Sequence, residues 1–355
     1  MGVIIGSNPS SFVSYFFYKG TVELRYDDAA HAYFLVLLDK LIEQDGVTTV
    51  VKIVDKSDML VPWGCKMMAQ DLMANISVYT AKSGVTMVPA MPLALFEATV
   101  MEAKTAHKRK LEEAADIGND AHKWIQKYIQ KQLGVIDQCP DMPIEPRAHN
   151  CCQAALRWEK RHNVRWLQTE RKIYSRQYGY AGTMDGLCFA DSCDDPLCCP
   201  VPFNDRLSLA DWKSSNYLYL TYLMQAAAYV NAWQEEFNYQ IQDRWILRLG
   251  KEDGEFDPWH LGINDQDRDF QGFLTCLELT RTMKDLKARM REIHDIRKEL
   301  EQAAARAARK AELLIKCTKA DKYQGIRGAR PKCVEGEACQ TCLKKWLDRH
   351  PDTVQ

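Results

Sequence analysis

The sequence predicts an α/β protein with a central mixed β-sheet flanked by helices, followed by a long C-terminal helix and a cysteine-rich tail. Three observations lead to this class. From residue 147 to 250 the chain reads as helix, three strands, helix and strand, an order typical of α/β domains. Residues 269–316 contain no proline and a single glycine near their start. Four cysteines follow between residue 317 and the last residue, 355.

The composition is that of a soluble globular protein that buries a core. Of 355 residues, 46% are hydrophobic and 27% are charged, which are ordinary fractions. The net charge of −1 neither supports nor excludes nucleic-acid binding. The N-terminus lacks the basic region and cleavage site of a secretory signal, and no apolar run reaches the roughly 18 residues needed to span a membrane. With 13 cysteines, we expect a reducing cytosol, that of a bacterium or of a host cell if the protein is viral.

Residues 1–92 are predicted to form a β-rich segment with one short helix. Strand-like runs occur in "TVELRY", "HAYFLVLL" and "VTTVVKIV", with a turn at residues 44–46. Pro62 is predicted to open the helix "LVPWGCKMMAQDLMAN", because proline is favoured in the first helical turn.

Residues 93–268 are predicted to form the core. A helical pattern covers 93–132 and is relieved near residues 116–119. Its second half has one apolar face, made of Trp124, Ile125, Tyr128 and Ile129. A proline-rich loop at 138–146 then precedes a helix over 147–163.

The strands of the predicted core follow this helix. They are "VRWLQTERKIYS", "GYAGTMDGLCFAD" and "RLSLADWKSS". A helix from about Tyr219 to Phe237 comes next, and the strand "RWILRLG" follows it.

Residues 269–316 are predicted to form one long helix. Apolar residues recur at alternating spacings of four and three, interrupted by Arg297. They are Leu279, Met283, Leu286, Met290, Ile293, Leu300, Ala304, Ala307, Ala311 and Leu314. Such a seam is typical of a coiled coil, through which the chain would form a homo-oligomer. A long helix laid back across the core is the alternative.

An acid and a lysine share one face of the predicted strand in "LADWK". Asp211 and Lys213 are two residues apart, so their side chains point the same way, about 6.5 Å apart along the strand. The acid can ligate a divalent cation while the lysine orients a water, and the Trp212 carbonyl offers a further oxygen. Such hard ligands favour Mg²⁺ or Mn²⁺. Alone, the pattern is common, and a solvated strand end is the plainer interpretation.

A second acid strengthens the metal interpretation. Asp185 lies on the preceding strand, where Gly182 and Gly186 are expected to leave space for a ligand near the backbone. If this strand pairs with that of Asp211, the two acids converge. Two carboxylates and a lysine are a minimum set for metal-assisted attack of water on a phosphodiester.

The order of these motifs resembles the RecB-like exonuclease branch of the PD-(D/E)xK nuclease superfamily, which includes phage-type and CRISPR-adaptation nucleases. The motifs are G-x-x-D ending at Asp185, D-x-K at 211–213 and Q-x-x-x-Y at 225–229. The resemblance covers roughly residues 110–250. The segment "GVTTVVKIVDKSDMLVPWGCK" is similar to the region that precedes this core in phage-type exonucleases.

The resemblance implies a restriction-endonuclease-like core and a set of metal ligands. Asp185 and Asp211 would bind the metal, assisted by the Trp212 carbonyl. His122 matches a histidine that the family carries on an upstream helix, and Glu170 matches an additional acid of some members. The plainer interpretations are a surface histidine on an amphipathic helix and a solvent-facing strand glutamate.

The resemblance also implies roles for three further side chains. Lys213 would position the water or stabilise charge in the transition state. Gln225 and Tyr229, four residues apart on one helix face, would hold the DNA backbone or fix Lys213. Core packing is the plainer interpretation of Tyr229.

The activity implied by the resemblance is that of a divalent-metal-dependent DNA exonuclease. It would act on single-stranded or duplex ends in recombination, repair or replication, and a phage origin suits the architecture. The alternatives are a structure-specific endonuclease on the same core and a catalytically silent DNA-binding or scaffold protein. The complete motif set argues against a protein without catalytic activity, because such a protein would be free to lose Lys213. A single-strand annealing protein or a helicase is a partner by analogy alone.

The tail over residues 317–355 has cysteines suited to a metal. Cys317, Cys333, Cys339 and Cys342 would supply four thiolates, enough for tetrahedral Zn²⁺ or a [4Fe–4S] cluster. Idle reduced thiols are the alternative. The family resemblance implies an iron–sulfur cluster with one ligand from the N-terminal side of the core, for which Cys65 is the candidate.

A second group of cysteines lies in the connection between the two acids. Cys193, Cys198 and Cys199 stand in a proline-containing loop and are a candidate zinc site, with residues 151–152 ("CC") as further ligands. Their spacing matches no standard zinc ribbon.

Overall fold

The computed structural model describes residues 12–38, 40–54, 57–75, 79–80, 86–87, 92–215 and 217–319. The chain divides into two units, Met1–Thr280 and Arg281–Gln355. The first unit contains the β-sheets and the helices packed on the larger sheet. The second contains the greater part of the C-terminal helix.

Nine strands of the described residues form one mixed sheet. These strands are β1 (Phe12–Phe17), β2 (Val22–Asp27), β3 (Ala32–Leu37), β4 (Lys40–Gly46), β7 (Arg165–Ser175), β8 (Tyr180–Ala190), β9 (Arg206–Lys213), β10 (Asp243–Leu249) and β11 (Phe256–Gly262). Two short strands, β5 (Tyr79–Thr80) and β6 (Thr86–Met87), pair separately.

The pairing pattern joins the N-terminal strands to the core. Strands β1 to β4 form an antiparallel meander, and β4 pairs in parallel with β8. Strand β8 is antiparallel to both β7 and β9. Strand β10 is parallel to β9 and antiparallel to β11. The result is a single sheet with both orientations, as predicted for the core.

Helices pack on both faces of this sheet. The helices of the described residues are α1 (Val47–Val51), α2 (Ser57–Asn75), α3 (Leu93–Ala103), α4 (Ala106–Gln132), α5 (Pro146–Arg161), α6 (Thr221–Phe237) and α7 (Gln266–Lys319). Helices α4 and α5 belong to one apolar cluster, in which Trp158 packs against Trp245. Helices α1, α6 and the start of α7 belong to another, which includes Val50 and Phe273.

The sheet opens beside the middle of β8. Strand β4 pairs with β8 only as far as Ala181, and the pairing with β9 begins at Gly186. Between these positions neither β4 nor β9 continues its ladder along β8. Asp185 lies in this opening, so its carboxylate is located between the end of the β4–β8 pairing and the start of the β8–β9 pairing.

Helix α1 corrects one strand prediction. The β-branched run "VTTVVKIV" is helical over Val47–Val51, and the predicted turn at 44–46 is part of β4. Val47 and Val50 are fully buried, so burial of one helical face overrides the strand propensity of the local sequence.

Other element boundaries also differ from the predictions. Helix α2 starts five residues before Pro62, which lies inside it. The long helical pattern breaks at residues 104–105, between α3 and α4, and continues unbroken through 116–119. Strand β11 was not predicted; it contains Pro258, a residue that is unfavourable inside a sheet. As a sheet-edge strand, β11 tolerates the proline.

The predicted α/β class, mixed sheet and long C-terminal helix are confirmed. The seam residues Met283, Leu286, Met290 and Ile293 are exposed on α7. No helix within the described ranges is both long enough and apolar enough to cross a membrane.

Candidate active site

Strand pairing brings the two predicted acids together. Strands β8 and β9 are antiparallel, and their ladder ends with Gly186 opposite Ala210. Asp185 and Asp211 each lie one position beyond this last pair, so both acids adjoin the same end of the ladder. The Trp212 N–H donates to Asp185 Oδ2 at 2.9 Å. This hydrogen bond ties the Asp185 carboxylate to β9.

Lys213 lies against one of the carboxylates. Its Nζ is 2.5 Å from Asp211 Oδ2, and the two side chains are 12% and 1% exposed. Asp211 Oδ1 has no hydrogen-bond partner among the residues described. Burial raises the pKa of Asp211 to about 6, with Lys213 opposing the shift and Asp185 adding to it. The site therefore combines a buried carboxylate that has unused acceptor capacity with an adjacent cation.

Helix α4 delivers His122 to the same place. Its Nδ1 lies 4.0 Å from Asp185 Oδ2. Gly118, one turn earlier, permits the close approach of this helix, because a Cβ there would clash with Ser214 Oγ just beyond β9. Burial, followed by the Lys213 ammonium, lowers the pKa of His122 to about 4. At neutral pH the ring is uncharged, which is the form that ligates metals.

Glu170 lies beside Asp185 on the other neighbouring strand, β7. Its φ of +52° is in the left-handed region, which glutamate rarely adopts. Burial, followed by the Asp185 carboxylate, raises the pKa of Glu170 to about 7. The residue also borders a surface groove lined in part by Tyr15, Gln130 and Lys172. The third predicted acid thus lies between Asp185 and the surface groove.

Gln225 and Tyr229 bond to each other on α6. Gln225 Nε2 donates to Tyr229 Oη at 2.8 Å, and both side chains are buried. Burial raises the pKa of Tyr229, and the nearby Asp211 and Asp185 carboxylates add to the rise. The pair therefore packs near the two acids. Its predicted contact with DNA stays a prediction.

The two glycines of β8 have a different role from the one predicted. A Cβ on Gly182 would lie 2.7 Å from Tyr229 Cε1 and 3.1 Å from Val47 Cγ2, and one on Gly186 would lie 2.8 Å from Trp166 Cζ3. These positions make room for side chains of the protein. The expected space for a ligand near the backbone is filled by rings and a methyl group.

Sequence reasoning missed Tyr222. Lys213 Nζ lies 4.8 Å from the centroid of its ring, so the tyrosine supports the ammonium by a cation–π contact. The signal was present in the sequence, since Tyr222 precedes Gln225 by three residues and shares its helix face.

A separate cluster of metal-ligating side chains lies in the connection between β8 and β9. One ligand atom each of His162, Cys193, Cys198 and Cys199 lie within 4.8 Å of one another, and such a group could hold a metal ion. The predicted helpers at 151–152 are not part of it. Sequence reasoning missed the histidine, which follows α5 and is far from the loop in sequence.

Most of the predicted C-terminal metal site lies outside the described residues. Cys333, Cys339 and Cys342 lie beyond the described residues, and Cys317 is on α7 near its end. Cys65 is an exposed free thiol on α2. The assignment of these residues to an iron–sulfur or zinc site stays a prediction.

Comparison with known proteins adds no family assignment. A scan against protein-family models found no match to the chain, and a search of curated proteins found none either.

Proposed function

We propose that this protein is a divalent-metal-dependent deoxyribonuclease that hydrolyses phosphodiester bonds. The observation that carries the proposal is that Asp185 and Asp211 meet at the end of the β8–β9 ladder, with Lys213 and His122 beside them. Paired carboxylates with an adjacent lysine are the chemistry that metal-assisted phosphodiester hydrolysis requires.

The residues present fit a hard divalent cation, Mg²⁺ or Mn²⁺. Asp211 offers an oxygen with no hydrogen-bond partner in the described structure, and a buried carboxylate oxygen is rarely left so. Asp185 Oδ2, the Trp212 carbonyl and a neutral His122 complete a donor set of oxygens and one nitrogen, with Glu170 as an additional oxygen ligand. When bound, the cation supplies Lewis-acid polarisation of the scissile phosphate.

Each side chain has a distinct part in the proposed reaction. Lys213 orients the attacking water and offsets negative charge that develops on the phosphate. Asp211 holds the lysine in place through their ion pair. Gln225 and Tyr229 support this arrangement from α6, where Tyr229 fills the space above Gly182.

DNA is the proposed substrate class, as an exonuclease acting on single-stranded or duplex ends. Basic and aromatic side chains line the groove beside Glu170, among them Tyr15, Arg171 and Lys172, and such a groove supports nucleic-acid contact. A cytosolic setting, a role in recombination or repair and an annealing protein or helicase as partner belong to the same proposal.

The proposal is tested with end-labelled linear single- and double-stranded DNA and with closed circles, in Mg²⁺, Mn²⁺ or EDTA. Wild type should release labelled nucleotides only with metal, and Lys213→Ala should lower the rate by on the order of 10² or more. Lys110→Ala, a change at an exposed lysine, is the control. Equal cleavage by Lys213→Ala, or no metal-dependent cleavage by wild type, contradicts the assignment. Cleavage of circles identifies an endonuclease.

A further inference from the structure

Three thiols and an imidazole meet in the connection between β8 and β9. His162 and Cys199 are buried, and Cys193 and Cys198 are partly buried. We call these four residues the His162 cluster. It takes no part in the nuclease proposal, since it lies at the opposite end of β8–β9 pairing from Asp185.

The spacing of the sulfur atoms matches the edges of a tetrahedron around one ion. Cys193 Sγ lies 3.7 Å from Cys199 Sγ, which lies 3.8 Å from Cys198 Sγ. For a zinc–sulfur distance of about 2.3 Å, tetrahedral geometry puts two sulfurs about 3.8 Å apart. A disulfide would bring two of them to about 2.05 Å. The distances between the sulfur atoms are therefore those expected of thiolates that bind one zinc ion.

His162 directs its Nε2 atom, the ring nitrogen that is free to bind a metal, toward the thiols. His162 Nδ1 lies 2.9 Å from the Asp191 carbonyl, and because a carbonyl only accepts, Nδ1 carries the hydrogen. Nε2 is left with its lone pair, 3.7 Å from Cys198 Sγ. A metal-ligating histidine usually has its other nitrogen fixed by such an acceptor.

The loop that carries the cysteines contributes few apolar side chains to the core. Phe203 is buried, but Leu197 is 96% exposed and Val201 is 65% exposed. The loop is attached to the end of α5 by backbone contact, since the Asp191 N–H donates to the His162 carbonyl. A metal bound by His162 and three loop cysteines would add a further attachment of the loop to this end of α5.

We propose that the His162 cluster binds one structural Zn²⁺. Three thiolates and one imidazole close a four-coordinate site, which is typical of structural zinc and leaves no position for a substrate. A four-iron cluster does not suit it, because its ligating sulfurs attach to different iron atoms and stand farther apart than ligands of one ion. The zinc joins the β8–β9 connection to α5.

Zinc content of the full-length protein tests the proposal. Cys198→Ser/Cys199→Ser should lower the zinc content measured by mass spectrometry by one per chain. Cys139→Ser, a partly buried thiol outside the cluster, should leave it unchanged. A chain in which the four cysteines of the tail are replaced by serine keeps the cluster intact and should retain one zinc.

A second measurement does not depend on folding of the cluster variant. Cobalt(II) added to the tail-substituted chain after removal of zinc should give the intense visible bands of a tetrahedral thiolate site. Absence of zinc from that chain, or of those bands with cobalt, overturns the proposal. Unchanged zinc content in a folded Cys198→Ser/Cys199→Ser chain also overturns it.

Discussion

Replacing Lys213 with methionine tests whether its charge is what stabilises the buried acids. The Asp211 side chain is 1% exposed and lies 2.5 Å from the ammonium, with the Asp185 carboxylate near enough to raise its pKa further. Methionine keeps most of the volume and removes the charge. Breaking a buried ion pair in this way leaves an uncompensated carboxylate and costs about 3–5 kcal/mol. We expect the free energy of unfolding to fall by this amount in EDTA.

The measurement is urea denaturation followed by fluorescence of the chain's nine tryptophans. Asp211→Asn and the double variant Asp211→Asn/Lys213→Met complete a double-mutant cycle, in which we expect a coupling energy of about 1–3 kcal/mol. Lys110→Met is the matched control, since Lys110 is 59% exposed in its pair with Glu113. It should cost less than about 1 kcal/mol.

Adding a divalent metal to the same unfolding assay tests the proposed metal ligands. Mn²⁺ at 100 times its dissociation constant should stabilise wild type by about 2.7 kcal/mol, and Asp211→Asn should lose most of this gain. Two results would refute the reasoning. One is a Lys213→Met variant as stable as Lys110→Met, and the other is a coupling energy near zero.

Three further predictions concern packing, metal affinity and association. Gly182→Ala should lower the unfolding free energy by about 1–3 kcal/mol in thermal melts, because its Cβ would meet Tyr229. Gly64→Ala, in a helix with open space around the glycine, should not lower the unfolding free energy. Equal losses of unfolding free energy in the two variants contradict the packing argument. Glu170→Gln should weaken Mn²⁺ binding about tenfold or more by calorimetry, and unchanged affinity removes Glu170 from the ligand set. Leu286→Glu, on the exposed α7 seam, should abolish self-association in sedimentation, and a wild type that sediments as a monomer contradicts the coiled-coil prediction.

The part of the core that depends on local sequence was predictable. Strands β7, β8 and β9 lie where runs rich in β-branched and aromatic residues stand between turn signals. The period of two along β9 places Asp211 and Lys213 on one face. Asp185 lies one position beyond the paired residues of β8, so its approach to them depends on the irregular end of the ladder and not on alternation alone.

What depends on distant contacts could not be predicted. "VTTVVKIV" has strand propensity, yet Val47 and Val50 are fully buried in a helix against α6 and the sheet. The ligand role of His162 has no local signal either. Its partners Cys193 and Cys198 come close only because β8 returns the chain to the end of α5.

The glycines of β8 change where a substrate would reach the proposed site. Sequence reasoning assigned the space at Gly182 to a ligand, but Tyr229 and Val47 occupy it, so that side is closed by α6 and α1. The groove bordered by Glu170 and Lys172 lies on the neighbouring strand β7, next to Asp185. If the nuclease proposal is correct, the DNA backbone approaches along this groove. The strained backbone of Glu170 then lies at the entrance, where strain is often retained for function.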